Sequence, residues 1–134
     1  MGDFWHYYRY LHGDELTDEK RIKTTKTRFN FFKKCFIEYK DRFGLLEWDI
    51  GYKIEDLGTS LASLTYRANE CVATLRLSTS MPEGDSDLKG TAKHEAVHLL
   101  LANYDHIASC RYCSPEELIQ ANEEVTVKLT KLIP

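Results

Sequence analysis

Thr91-Ala92-Lys93-His94-Glu95-Ala96-Val97-His98-Leu99-Leu100-Leu101-Ala102 is the stretch on which the reading of this chain turns. It holds no Gly and no Pro and is rich in good helix formers, so it predicts a helix, continuing to about Asn103. Residues four apart lie on one face of a helix. His94 and His98 have that spacing, so their imidazoles can reach a single metal ion together. Glu95, next to the first of them, is placed to hold a water on that metal.

H-E-x-x-H on a helix is the pattern of zinc-dependent hydrolases, in which the Glu serves as general base. Catalytic zinc takes three protein ligands and leaves one position to water, so a third ligand must come from elsewhere. The metzincin continuation is absent, because Leu101 stands at its Gly position and Tyr104 at its last His position. His106 lies beyond the motif helix and is an alternative ligand without a motif behind it. The better source is Ala121-Asn122-Glu123-Glu124-Val125 in the last helix. Glu123 shares a face with Ile119 and Val127, an apolar and therefore inward face, whereas Glu124 shares one with Gln120 and Lys128. Glu123 is thus the expected third ligand and Glu124 the alternative. Leu118, Ile119, Val125 and Val127 would form an apolar wall that dries the site.

Upstream, the hydrophobic period is two. Leu46, Trp48, Ile50, Tyr52 and Ile54 alternate with polar residues or Gly, which predicts a half-buried strand. Leu57-Gly58-Thr59-Ser60 reads as a turn, Leu61 to Arg67 as a second strand and Cys71 to Leu77 as a third. The short polar connections predict an antiparallel meander. Ser80 to Ser86 reads as a loop, with Ser86 as N-cap of the motif helix. Tyr104 to Ser114 reads as a connection. Ser114-Pro115-Glu116-Glu117 then opens the last helix with Ser at N-cap, Pro at N1 and Glu at N3.

Before the strands, Asp18-Glu19 open a basic stretch in which Phe29, Phe32, Phe36, Tyr39 and Phe43 recur at helical spacing, with Gly44 where a helix C-terminus wants it. Residues 1–17 hold Phe4, Trp5, Tyr7, Tyr8 and Tyr10 and read as a short helix or an arm packed on the body. The whole is α+β: N-terminal helices over 1–44, then a core over 45–131, within a single domain spanning 1–134.

Composition is that of a globular protein, with 43% hydrophobic and 29% charged residues. The net charge of −3 argues against a general nucleic-acid binder. No apolar run reaches the length of a membrane span, and the N-terminus lacks the features of a signal peptide. A cytoplasmic location follows, with Cys35, Cys71, Cys110 and Cys113 as reduced thiols. Cys110-Arg111-Tyr112-Cys113 is a C-x-x-C pair; a zinc ribbon needs two such pairs, so incidental thiols are the simpler reading, beside a disulfide or a second metal site. The basic residues Lys20, Arg21, Lys23, Lys26, Arg28, Lys33 and Lys34 read as the solvated face of an amphipathic helix rather than a nucleic-acid surface.

A three-stranded antiparallel sheet, an H-E-x-x-H helix and a helix carrying a Glu ligand resemble a gluzincin reduced to its core. His94-Glu95-Ala96-Val97-His98-Leu99-Leu100-Leu101 and Asn122-Glu123-Glu124-Val125-Thr126-Val127-Lys128-Leu129 are similar to the small phage- and prophage-encoded metallopeptidases of minimal gluzincin type. The resemblance covers roughly residues 45–131 and implies a zincin-like fold. It implies that His94, His98 and Glu123 bind Zn2+ and that Glu95 activates a zinc-bound water against a peptide or protein substrate. It implies an edge strand that accepts an extended peptide, for which Cys71 to Ser78 is the expected strand. The residue that stabilises the oxyanion in larger relatives has no match here; Tyr66, Tyr104 and His106 are its candidates. Two other classes stand beside this one: a catalytically inactive, zinc-stabilised protein-interaction module of phage or mobile-element origin, and a nucleic-acid-associated protein with structural histidines.

Overall fold

A computed structural model describes residues 20–109 and 114–134. The aromatic N-terminal arm and the Cys110–Cys113 pair lie outside the described residues. Within them the chain is α+β, with four α-helices, a two-stranded sheet and a three-stranded sheet.

The basic stretch begins as a strand, not a helix. β1 (Arg21–Lys23) pairs antiparallel with β5 (Ser80–Pro82), placing Ile22 opposite Met81. Thr24 extends the clasp: its N–H donates to Thr79 O at 2.8 Å and its hydroxyl to Ser78 O at 2.7 Å. Thr25 then caps α1 (Lys26–Arg42), its side-chain oxygen accepting from Arg28 N at 3.2 Å. The basic side chains are partly structural. Arg28 donates to the carbonyls of Pro82 and Glu83, and Arg21 to those of Gly58 and Thr59. The expected apolar face is present, with Phe32, Phe36 and Tyr39 buried and Phe29 and Phe43 packed at its margin. Gly44 ends α1 as its position predicts, at φ +75°. The N–H groups of Gly44 and Leu45 reach back to Asp41 O and Lys40 O at 3.0 and 3.1 Å, the two bonds of a Schellman motif.

The larger sheet holds β2 (Asp49–Glu55), β3 (Ala62–Arg67) and β4 (Val72–Ser78) in the spatial order β2-β4-β3. β3 and β4 form the expected antiparallel hairpin, joined by a 3-10 turn at Ala68–Glu70 and by Cys71 in the left-handed region. β2 is not the next strand of a meander. It runs parallel to β4, Asp49 opposite Val72 through Glu55 opposite Ser78. Local turn chemistry could not reveal this. Asp56 and Gly58 do form a turn, with Gly58 N donating to Asp56 Oδ1 at 3.0 Å, but the guanidinium of distant Arg21 holds the next carbonyls and the chain passes to the far side of β4. β4 is therefore central, not an edge, and the edges are β2 and β3. Its Ala73, Leu75 and Leu77 point into the core.

α2 (Asp85–Leu100) is the central helix, in contact with α1, β3, β5 and the two helices that follow. Gly84, rather than Ser86, occupies its N-cap. His94 to Leu99 are buried all round the helix, as a helix enclosed on several sides requires. At Leu101 the helix breaks and α3 (Ala102–Ser109) begins, in a segment that reads as a connection from sequence. α4 (Pro115–Leu132) opens with the predicted capping box: Ser114 Oγ accepts from Glu117 N at 3.1 Å and donates to Glu117 Oε1 at 3.0 Å. Its far end is held against α1 and α2, where Tyr39 Oη donates to Pro134 O at 3.0 Å and Lys93 Nζ to Ile133 O at 2.6 Å.

Candidate metal centre

α2 and α4 pack so that three side chains meet. His94 and His98 project from successive turns of α2, their rings edge to face with centroids 4.7 Å apart. Glu123 reaches them from α4, its Oε1 2.9 Å from His98 Nε2. The two Nε2 atoms are 3.1 Å apart, and one ligand atom from each of the three residues lies within 4.8 Å of the others. Bonds of about 2.0–2.1 Å at tetrahedral angles hold ligand atoms roughly 3.4 Å apart. The 3.1 and 2.9 Å separations lie a few tenths of an ångström inside that span and the third is no more than 4.8 Å, so the three atoms could hold a metal ion. Among the described residues this is the one group of three or more His, Cys, Asp or Glu gathered in this way.

The electrostatics favour a cation. His94, His98 and Glu123 are buried, and Glu95 is fully so. Neither oxygen of Glu95 or Glu123 has a hydrogen-bond partner among the described residues; the approach of Glu123 to His98 is close but lacks hydrogen-bond alignment. Two buried, unsatisfied carboxyls are costly, by several kcal/mol per ion where they are charged. Burial, with the charge of Glu123 added, holds the Glu95 carboxyl well above the usual carboxylate range. A cation among the three ligand atoms offsets both penalties, so His94, His98 and Glu123 can hold a metal ion.

The structure brings together the two histidines and the glutamate that helix geometry selects, and it places Glu95 beside them. It leaves the alternatives outside. Glu124 is exposed and faces Gln120, whose Nε2 donates to its Oε1 at 3.5 Å, and His106 is exposed on α3. The wall of α4 is only partly as expected. Leu118 is buried and Ile119 and Val127 are half-buried, but Val125 is 44% exposed. The innermost residues beside Glu123 are instead Asn122 and Thr126, whose Oγ1 donates to Asn122 Oδ1 at 3.2 Å. Apolarity cannot report the inward face of a helix that lines a polar site. Of the oxyanion candidates, Tyr104 is 60% exposed, and the Tyr66 hydroxyl donates to Asp105.

Asp105 is the residue that the sequence reading passed over. It is buried, and with Ala102 it continues the face of His98 beyond the break at Leu101. The spacing 98, 102, 105 is the signal that could have found it. Comparison with protein-family models, curated proteins and solved structures finds no match to this chain.

Proposed function

We propose that this chain is a zinc-dependent hydrolase of peptide bonds, a zincin-like core of minimal gluzincin type. The observation that carries the reading is the burial of an unpaired carboxyl, Glu95, directly beside the His94–His98–Glu123 cluster. A two-nitrogen, one-carboxylate donor set suits zinc and leaves a coordination position for substrate or water. Zinc bound there would supply Lewis acidity, polarising a carbonyl and acidifying water.

The remaining work belongs to the chain itself. Glu95 takes a proton from the attacking water; hydroxyl adds to the carbonyl carbon, the C–N bond breaks and the proton passes to the leaving amine. A buried carboxyl already displaced toward higher pKa is suited to give that proton back. β3 borders α2 and is an edge of the sheet among the described residues, so an extended peptide would add to β3 rather than to β4. No helix among the described residues is long and apolar enough to cross a membrane.

Elemental analysis of untagged protein, after exposure to zinc and gel filtration, should give about one zinc per chain. A peptide-library digest should show cleavage that Glu95→Gln abolishes while the zinc remains. Near-zero zinc would overturn the metal reading. Full zinc without cleavage would leave the interaction module, and cleavage unchanged in Glu95→Gln would mean another mechanism.

A further inference from the structure

Where β3 ends, α3 and the start of α4 enclose a cleft of about 470 Å³, a volume in the range of ligand sites. Its walls include Ala68, Pro115, Leu118 and Ile119, all without charge. Its ionisable residues are Tyr66, Arg67, Asp105 and His106, of which Asp105 is the buried one. Asp105 is only 7% exposed, and its Oδ2 accepts the Tyr66 hydroxyl. Its Oδ1 has no hydrogen-bond partner among the described residues. Arg67 on the lining is exposed and lies 3.5 Å from the Glu70 carboxylate.

We propose that this cleft binds an aliphatic chain ending in a cation, the side chain of a lysine or arginine in an extended peptide. The apolar walls match the methylene stem, and the unpaired oxygen of Asp105 matches the donor at its tip. The Tyr66 hydroxyl fixes the carboxylate plane by occupying the other oxygen. The position also suits a peptide: Asp105 lies seven residues beyond His98, on the short helix that follows the break at Leu101. Leu118 lies five residues before Glu123 on the buried side of α4. Cleft and metal cluster thus draw on neighbouring stretches of the chain, Asp105 just beyond the helix of His98 and Leu118 on the helix of Glu123. The attachment of that side chain to a cleavable peptide rests on the function proposed above, whereas the preference for a cation rests on Asp105 alone.

Binding can be read without turnover. N-acetyl-arginine methylamide and N-acetyl-norleucine methylamide, which share an apolar stem but not the charge, are titrated into the full chain with and without zinc. The methyl resonances of Leu118 and Ile119 are followed. The arginine probe should shift them, bind at least tenfold more tightly than the norleucine probe, and lose at least tenfold in affinity in Asp105→Asn. Equal binding of the two probes, or unchanged binding in Asp105→Asn, overturns the proposal. If Asp105→Asn does not fold, Ile119→Arg puts a cation at the half-buried wall and should abolish binding; retained binding then overturns it. Arginine-probe binding in a protein that cleaves no peptide would uphold the cleft and refute the hydrolase. Cleavage with no preference for basic residues, together with no probe binding, would do the reverse.

Discussion

Leu88, Ala92, Ala96 and Leu99 run down one side of α2 into the apolar core with Phe32, Phe36, Leu75 and Leu77, whereas His94, Glu95 and His98 form the side that meets α4. Both sides are buried, yet they are stabilised differently. On the first, small alanines let α1 pack close and every contact is apolar, so burial itself supplies the free energy. On the second, two carboxyls have no hydrogen-bond partner among the described residues, a burial cost that a bound cation would offset. The apolar side makes the fold, and the polar side draws on it. Tyr66–Asp105 is an intermediate case, a partly buried polar pair that satisfies itself in part.

The largest effect tests the polar side. Glu95→Gln should lower turnover by about 10²–10⁴-fold, the range for a lost general base, while zinc stoichiometry measured by elemental analysis stays near one per chain. The apolar side is tested by Leu75→Ala, which should cost about 2–5 kcal/mol in urea unfolding. That variant, below its transition, should still take up zinc. Glu123→Gln should do the opposite, abolishing zinc uptake while leaving the metal-free protein at least as stable as wild type, because a buried carboxyl with no hydrogen bond has been replaced by a neutral amide. If Glu123→Gln unfolds the metal-free chain as Leu75→Ala does, the contrast between the two sides is lost.

The intermediate pair has its own signature in pH. Burial, then the bond to Asp105 and its charge, push the Tyr66 phenol above its ordinary value of 10.0. Above that pH the unfolded chain releases this proton and the folded chain keeps it, so stability falls as pH rises past about 10. The urea midpoint of Tyr66→Phe should fall less than that of wild type between pH 9 and 11; parallel curves would mean that the phenol is not buried in solution. The smallest effect concerns the helix that delivers Glu123. Ser114→Ala removes a capping bond and should cost about 1 kcal/mol, with a modest loss of zinc affinity by competition titration.

The sequence was most informative where the signal is local. The turn at Gly44, the capping box at Ser114 and the helical spacing of His94 and His98 each depend on residues within one or two turns. Helix geometry put Glu123 rather than Glu124 on the inward side, where it lies, although that side was judged by Ile119 and Val127 and centres on Asn122 and Thr126. The rest depends on partners far along the chain. β1 exists because β5 lies beside it, 59 residues on from Arg21 to Ser80, and no local preference of Arg21-Ile22-Lys23 announces that. β2 pairs parallel to β4 across a connection that contains another strand, and the arginine that fixes its exit comes from β1. α3 was hidden by the break at Leu101, which interrupts the period just where His98, Ala102 and Asp105 would have shown it.

The β2–β4 pairing also orders the path to the native state. The β3–β4 hairpin closes a loop of a few residues and can form early. β2 can join only after β4 has a partner on its other side and the chain between them has been folded back, a contact of much longer range. Glu123, on the last helix, meets the two histidines from 25 residues beyond His98. Capture of the proposed zinc ion by all three side chains would then be a late event, acting by slowing unfolding rather than by hastening folding.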